Sequence, residues 1–264
     1  MTTTRTVSVL AAATAAALLL SGSAASAPHA ASGNPDPHLF EHPVANPFFP
    51  LTPGLVTRLR GTDEGEHFRE TVTTTDRTRM TLGVRTTVSR DVLRRADGTL
   101  AEKTHDWYAT DHDGNVWYFG EATATYDEAG HVESREGSWQ AGVDGAVAGI
   151  AMPAHPGPPY ASRMELARGQ AEDMSWVVQR LPSAPTPGGR YDDIVRTLEW
   201  TRLEPGVVSM KLYARGLGIV MERDLAGGDE WFWLVSSNAG RGGRPGARHE
   251  TTVRQGPSSR HRAS

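Results

Sequence analysis

The chain has 264 residues, contains no cysteine and carries a formal net charge of −4. Without cysteine no disulfide can form, so buried apolar surface and backbone hydrogen bonds must stabilise the fold. The segment from Ala239 onward carries six arginines and one glutamate, a net +5, and Arg5 lies near the N-terminus, so the remaining body carries −10. This acidic body argues against a nucleic-acid-binding domain, whose surface should be basic.

Residues 1–27 have the pattern of a secretory signal peptide. Arg5 precedes an apolar run from Val7 to Leu20, and small residues continue to a cleavage tripeptide, Ala25-Ser26-Ala27. The run is too short for a membrane span, and an uncleaved N-terminal anchor is the alternative. We therefore expect a secreted, extracellular protein that has no membrane span and, lacking cysteine, no lipid attachment at the cleavage site.

Residues 28–45 are rich in proline, asparagine and histidine and are expected to form an irregular lead-in. The segment Asn46-Pro47-Phe48-Phe49-Pro50 follows, and its prolines favour an extended backbone. We expect Phe48 and Phe49 to plug one end of the core.

Residues 46–238 have the pattern of a single β-rich domain. Apolar and polar residues alternate in segments rich in valine and threonine, for example at Met80, Leu82 and Val84, which is typical of half-buried strands. Asp97-Gly98 and Asp113-Gly114 mark tight turns, so neighbouring strands should be antiparallel.

Later parts of this domain are less regular. Residues 141–159 form a glycine- and proline-rich stretch, strands resume over 160–181 with a break at Gly169, and residues 182–189 should form a loop. The whole pattern predicts an all-β fold, either an antiparallel β-barrel or a strongly curved sheet, of about ten strands. A two-sheet β-sandwich is the alternative.

Residues 239–264 have the composition of a disordered basic tail, because glycine, proline, serine and arginine bury too little apolar surface to fold. The tail is either a solvated end or an electrostatic contact with anionic envelope polymers.

Several motifs resemble a family of secreted or lipid-anchored bacterial proteins of unassigned function. They are DWYATDHDGNVWYFGE at 106–121, GSWQAGVDGAVAGIAMPA at 137–154, GQAEDM at 169–174, LEWTRLEPGVV at 198–208 and KLYARGLGIVMER at 211–223. The resemblance runs from about Asn46 to Glu222. It implies an exported β-rich domain and carries over no named catalytic residue.

An acidic turn within the first motif is a candidate metal site. Asp111, Asp113 and Asn115 alternate, and Glu121 follows on the next strand. Calcium prefers six to eight oxygen ligands from a tight loop, so these side chains predict a possible calcium cofactor. The alternative is a hairpin turn in which Asp-Gly supplies a positive φ.

Four carboxylates are candidate catalytic residues, namely Asp106, Glu121, Glu165 and Glu199. Asp106 should share a strand face with Tyr108, and Glu121 should share one with Trp117 and Phe119. If the acids point into one barrel mouth, they form a pocket for a sugar or a cation, and a suitable pair could hydrolyse a glycoside. Alternatively, each acid faces solvent or pairs with Arg90, Arg163, Arg202 or Lys211.

The aromatic candidates for contact with a ligand are Trp107, Tyr108, Trp117 and Trp139. Trp139 lies in glycine-rich backbone and is the first choice for stacking on a ligand, whereas core packing is the alternative for the tryptophans.

Three hypotheses follow. The first is a non-catalytic exported domain that binds a small molecule, a glycan or calcium. The second is an extracellular hydrolase that uses paired carboxylates, since neither a G-x-S-x-G elbow nor an H-E-x-x-H motif occurs. The third is an envelope scaffold.

Overall fold

The computed structural model describes residues 33–239, so the predicted signal peptide and nearly all of the predicted basic tail lie outside the described residues. A short 3-10 helix, Pro37–Phe40, precedes fifteen strands. The strands are β1 (Val56–Asp63), β2 (Glu66–Thr81), β3 (Val84–Arg95), β4 (Leu100–Thr110), β5 (Val116–Tyr126), β6 (Val132–Ser134), β7 (Trp139–Gln140), β8 (Val147–Met152), β9 (Tyr160–Arg163), β10 (Glu165–Leu166), β11 (Asp173–Thr186), β12 (Gly189–Thr201), β13 (Val208–Ala214), β14 (Gly218–Ala226) and β15 (Trp231–Ser237).

All fifteen strands belong to one antiparallel sheet that curls into a nearly closed barrel. The strand order is β10-β8-β5-β4-β3-β2-β1-β15-β14-β13-β12-β11-β9, and β6 and β7 pair with β5. The two ends of this order, β9 and β10, are separated by Met164 alone, whose N–H donates to the Asp173 carbonyl at 2.8 Å. The predicted antiparallel barrel is therefore confirmed, and the single sheet replaces the sandwich alternative.

The expected turns occur where glycine supplies a positive φ. Gly98 has φ 94°, and the Asp97 side chain accepts the N–H of Thr99 at 2.8 Å. Residues 141–159, expected to be irregular, contain one strand, β8. Over residues 160–181 the expected strands occur as β9, β10 and the start of β11, and Gly169 lies in the turn between β10 and β11.

The loop predicted over residues 182–189 is wrong. β11 continues to Thr186 through Pro182 and Pro185, and β12 begins at Gly189. β9 pairs with β11 only over residues 174–177. Beyond that point one edge of β11 has no pairing from β9, so a proline there removes no ladder hydrogen bond on that side.

The segment 46–50 covers one end of the barrel, as expected for Phe48 and Phe49, and Asn46 holds this segment and the lead-in before it in place. The Asn46 amide donates to the carbonyls of Gly114 (2.9 Å) and Pro153 (3.0 Å), and its oxygen accepts the N–H groups of Phe48 and Phe49. Phe48 is buried in the core, and Phe49 faces the barrel interior.

Apolar packing forms two clusters. One surrounds Phe48, Val116 and Phe119, and the other joins the β11–β12 hairpin, through Tyr191 and Ile194, to β1 and β13–β15. Within residues 33–239, no helix has the length and apolar character needed to cross a membrane.

Candidate functional site

The barrel encloses a cavity of about 600 Å³. Phe49 and Leu51, between the lead-in and β1, line one end of it. At the opposite ends of the strands, its lining includes the exposed residues Glu136, Gln170 and Leu203, which lie in three loops between strands. The segment before β1 therefore closes one end, and these loops form the rim of an opening at the other.

Carboxyl groups dominate the polar lining of this cavity. They are Asp91, Glu102, Asp106, Glu121, Glu136, Glu165, Asp173, Glu199, Glu204 and Glu222. Among the described residues that line the cavity, Lys211 carries the only cationic side chain. Six threonines, two serines and three tyrosines add hydroxyl groups to the same wall.

The structure brings together all four carboxylates singled out from the sequence. Asp106 on β4, Glu121 on β5, Glu165 on β10 and Glu199 on β12 all line the cavity. Asp106 and Glu121 are direct partners across the β4–β5 ladder. Directly opposed residues have Cβ atoms about 4.5–5.5 Å apart, so these two carboxyls lie close together.

The expected strand face of Glu121 is wrong, because a β-bulge interrupts the alternation. Asp106 pairs with Glu121 and Tyr108 pairs with Tyr118, so Trp107 stands opposite two residues, Phe119 and Gly120. The extra residue shifts the phase of β5. Tyr118 and Glu121 consequently both line the cavity, whereas neither Trp117 nor Phe119 does.

Gly120 makes this bulge possible. Its φ is 138°, and a Cβ placed on it would lie 2.5 Å from the Trp139 carbonyl oxygen and 2.9 Å from the Trp107 ring. Both the conformation and the close approach of β7 exclude a larger residue.

Asp106 lies beside a group of aromatic rings. The Tyr118 hydroxyl donates to Asp106 Oδ1 at 2.8 Å, and the Tyr118 ring stacks on Tyr108 with centroids 4.5 Å apart. Phe49 packs on Tyr108 at 4.9 Å. The pKa of Asp106 is raised to about 7, mainly by burial; the Tyr118 hydrogen bond opposes this shift, and the nearby Glu102 carboxyl contributes to it.

A second group of acids lies towards the loop end. Burial raises the pKa of Glu165 well above its usual range, and the neighbouring carboxyls of Asp173 and Glu121 add to the effect. Burial likewise raises the pKa of Asp173 to about 6 and that of Glu204 to about 7. Carboxyls crowded in this way resist ionisation together, because each negative charge disfavours the next.

Glu199 differs from the other three predicted acids because it forms an ion pair. Lys211 Nζ lies 3.1 Å from Glu199 and 3.0 Å from Glu222. Burial alone would lower the pKa of Lys211, but these two carboxylates raise it well above its usual range. The Tyr213 hydroxyl also donates to Glu199, at 3.1 Å. For Glu199, the predicted alternative of pairing with Lys211 therefore holds.

The aromatic candidates divide between the cavity and the wall. Tyr108 lines the cavity, whereas Trp107, Trp117 and Trp139 do not. Trp107 is buried beneath the Arg79 guanidinium, 3.9 Å from the ring centroid. Trp139, the first choice for stacking on a ligand, instead packs edge-on against Tyr118 at 5.4 Å, behind the cavity wall.

The acidic turn is a hydrogen-bonded hub centred on Asp111. Its Oδ1 accepts the N–H groups of Asp113, Gly114 and Asn115, at 3.0, 2.9 and 2.8 Å. Its Oδ2 accepts from the Asn115 amide and the Trp117 indole, both at 2.8 Å. Five donors thus occupy the roughly four lone-pair sites of one carboxylate.

The other proposed calcium ligands are separated. Asp113 is exposed beside His112, the Asn115 oxygen accepts the Ala154 N–H, and Glu121 lies in the cavity. In the described part of the chain, no three acidic or histidine side chains are placed to hold a metal ion. Calcium binding at this turn stays a prediction, which thermal unfolding with calcium and with a chelator tests.

Sequence reasoning did not single out several acids of the lining. Glu102 lies four residues before Asp106 on β4, so extending the same alternation would have found it. Asp91 alternates in the same way with Ser89 on β3. Glu222 carried no comparable signal, because β14 contains register shifts against β13.

Comparisons with known proteins give no family assignment. No family model and no curated protein matches the chain. Among solved structures, a lipoprotein candidate from Parabacteroides distasonis ATCC 8503 is 12% identical, with a TM-score of 0.41 over 74% of this chain and 99% of its own. An exported-protein candidate with a YmcC-like fold from Bacteroides fragilis NCTC 9343 is 13% identical, with a TM-score of 0.43 over 73% of this chain and 99% of its own.

Proposed function

We propose that the protein is an exported binding protein that holds a small polar molecule inside its barrel. The supporting observation is the 600 Å³ cavity, whose wall carries ten carboxyls, three tyrosines and a single lysine. Pockets for small ligands range over about 300–1,000 Å³, so the volume suits one such molecule. Export is proposed from the leader pattern of residues 1–27.

The energetic cost of the lining supports a binding role over a purely structural one. Charged and polar groups facing the interior cost stability unless they are paired. Burial raises the pKa values of Glu102, Glu121 and Glu165, so keeping these groups charged opposes folding. A barrel that served only as a scaffold could fill the same space with apolar side chains at lower cost.

Glycoside hydrolysis is the second candidate, and one specific observation favours it. Asp106 and Glu121 are opposed across two strands, both face the cavity, and both have raised pKa values. Retaining glycosidases use carboxyl groups about 5–5.5 Å apart, with one kept protonated as the general acid. Hydrolysis would require a sugar ring to bind between the carboxyl groups of these two residues.

Thermal unfolding with a panel of amines, sugars, amino acids and nucleosides tests the binding proposal. A ligand at one hundred times its Kd should stabilise the protein by about 2.7 kcal/mol. The variant Ser89→Phe should abolish the effect, because Ser89 faces the cavity as the cross-strand partner of Asp106. Ser236→Phe makes the same change at an exposed position of β15 and should bind normally.

Two outcomes would contradict the proposal. Either no member of the panel raises the unfolding temperature, or every ligand that does so stabilises Ser89→Phe as strongly as the natural sequence. Hydrolysis of an aryl glycoside that is lost in both Glu121→Gln and Asp106→Asn would instead establish the second candidate.

A further inference from the structure

The cavity contains more carboxyl groups than its single lysine contacts. Lys211 contacts Glu199 and Glu222, which lie on the strands to either side of β13. Burial raises the pKa values of Glu121 and Glu165, and neighbouring carboxyl groups add to this rise. A positively charged ligand would therefore meet several carboxyls that gain from its charge.

Unpartnered oxygen atoms form a second, independent observation. Glu165 is 4% exposed, and its buried Oε2 accepts no hydrogen bond of good geometry, although its carboxyl interacts with the Asp173 carboxyl and the Trp139 indole. Thr125 Oγ1, which also lines the cavity, is buried without a partner, and the buried Asp91 Oδ1 lies in a carboxyl that interacts only with the carboxyl of Glu70 among the hydrogen-bonding side chains acting on it. Buried polar atoms are normally paired, so these oxygens are acceptors available to a donor inside the cavity.

The aromatic end of the cavity adds an apolar surface. Phe49, Tyr108 and Tyr118 pack on one another, and Phe49 lies 6.4 Å from Tyr213. Ring faces of this kind attract organic ammonium groups and contact methylene chains. An inorganic ion would gain little from them, whereas an organic cation would use both its charge and its carbon atoms.

The acids are also too dispersed to surround a single ion. Eight of the ten lie on β3, β4, β5, β10, β11, β12 and β14, and Glu136 and Glu204 lie in loops. In residues 33–239 no three acidic or histidine side chains converge at metal-binding positions. A calcium ion needs six to eight oxygens around one point. Dispersed carboxyls instead suit several charges spaced along a flexible molecule.

We infer that the cavity binds a linear organic polyamine, a carbon chain bearing two or more ammonium groups. Each ammonium donates charge-assisted hydrogen bonds to carboxylates on different strands, and the methylene groups pack against the aromatic end. The inference rests on the proposed function and names the ligand class of the same site.

Calorimetric titration of the full chain with spermidine tests the inference, with triacetylated spermidine as the matched ligand. The derivative keeps the carbon chain and loses every positive charge. We expect spermidine to bind at one site and the derivative to bind at least about a hundredfold more weakly, because each lost charged hydrogen bond costs about tenfold or more.

Protein variants locate the binding site. Glu165→Gln and Asp106→Asn should each weaken spermidine binding about tenfold or more, while keeping the shape of the lining. Glu128→Gln, at an exposed turn, should bind like the natural sequence. Because either cavity variant could perturb folding, each is first compared with the natural sequence by urea unfolding.

The outcomes separate this inference from the proposed function. If a neutral sugar or nucleoside binds and spermidine does not, or if triacetylated spermidine binds equally well, the polyamine inference is wrong and the binding function stands. Calcium binding without spermidine binding also overturns it. Spermidine binding that persists in Ser89→Phe places the amine on the outer surface and overturns it too. If nothing in the panel binds, both proposals fall.

Discussion

Asp106 offers a direct test of the acidic interior, because Asp106→Asn removes the charge and keeps the shape of the side chain. Burial raises the pKa of Asp106 to about 7, whereas an unfolded aspartate titrates near 3.9. The folded protein therefore binds this proton more tightly than the unfolded chain does. The stabilisation from the bound proton is present at low pH and is lost as the pH rises from about 4 to about 7.

The magnitude follows from the size of the shift. A difference of about three pH units corresponds to about 4 kcal/mol at 1.36 kcal/mol per unit. Solvent in the cavity screens the charge, so we expect about half of this, about 2 kcal/mol. The Tyr118 hydroxyl donates to Asp106 Oδ1 at 2.8 Å, and the asparagine oxygen can accept the same bond.

Urea unfolding at pH 4, 6 and 8 measures the effect. At pH 8 Asp106→Asn should raise the free energy of unfolding by about 2 kcal/mol, and at pH 4 the gain should fall to about 0.5 kcal/mol. Asp192→Asn makes the same change at an exposed position of β12 and should have little effect at any of these pH values. A gain of equal size at pH 4 and pH 8, or no gain at pH 8, would refute the reasoning.

Three further substitutions test how the barrel is assembled. Asp111→Ala leaves five donors without their acceptor and should lower the free energy of unfolding by about 2–4 kcal/mol. In the same urea assay, Asp113→Ala, which removes an exposed side chain, should change it by less than about 0.5 kcal/mol. Asn46→Ala should cost about 2 kcal/mol and expose the lead-in to limited proteolysis; resistance equal to that of the natural sequence would contradict its anchoring role. Gly120→Ala should lower the free energy of unfolding by about 3 kcal/mol or more. Gly130→Ala, at a glycine with positive φ but open space around it, should lower it by about 1 kcal/mol. If calorimetry shows equal falls in the unfolding temperature of both variants, close packing at the bulge is unimportant.

The sequence predicts the barrel because many of its segments alternate and two of its turns contain Asp-Gly pairs. The alternation at Met80, Leu82 and Val84 was misinterpreted, because Leu82 and Gly83 form the β2–β3 turn. Alternation correctly placed Asp106 and Tyr108 on one face. It failed at Glu121, because the bulge at Gly120 arises from the close approach of β7, a contact between segments about twenty residues apart. Local periodicity contains no information about such a contact.

The sequence predicted that the acids would form one pocket only if the barrel closed around them. Glu165 lies on a two-residue strand, β10, whose position depends on its pairing with β8. Glu199 belongs to the β11–β12 hairpin, near the opposite end of the strand order. Their meeting depends on how the sheet curls, which no short window of sequence specifies. At the acidic turn the spacing of oxygen-bearing side chains suggested ligands for an ion. In the structure the Asp111 carboxylate accepts hydrogen bonds from the Gly114 N–H and the Trp117 indole, which stabilise the turn itself.

Part of the apolar core lies outside the acid-lined interior, and this has a consequence for how this protein can change. Phe119, Met152 and Val116 are fully buried in the wall and do not line the cavity. Exchanges among the lumen acids that belong to neither apolar cluster and do not pair with Lys211 should therefore leave the barrel folded, so a library randomised at these acids should retain mostly folded members. The ligand specificity of the cavity could then diverge while the barrel wall that surrounds it stays the same.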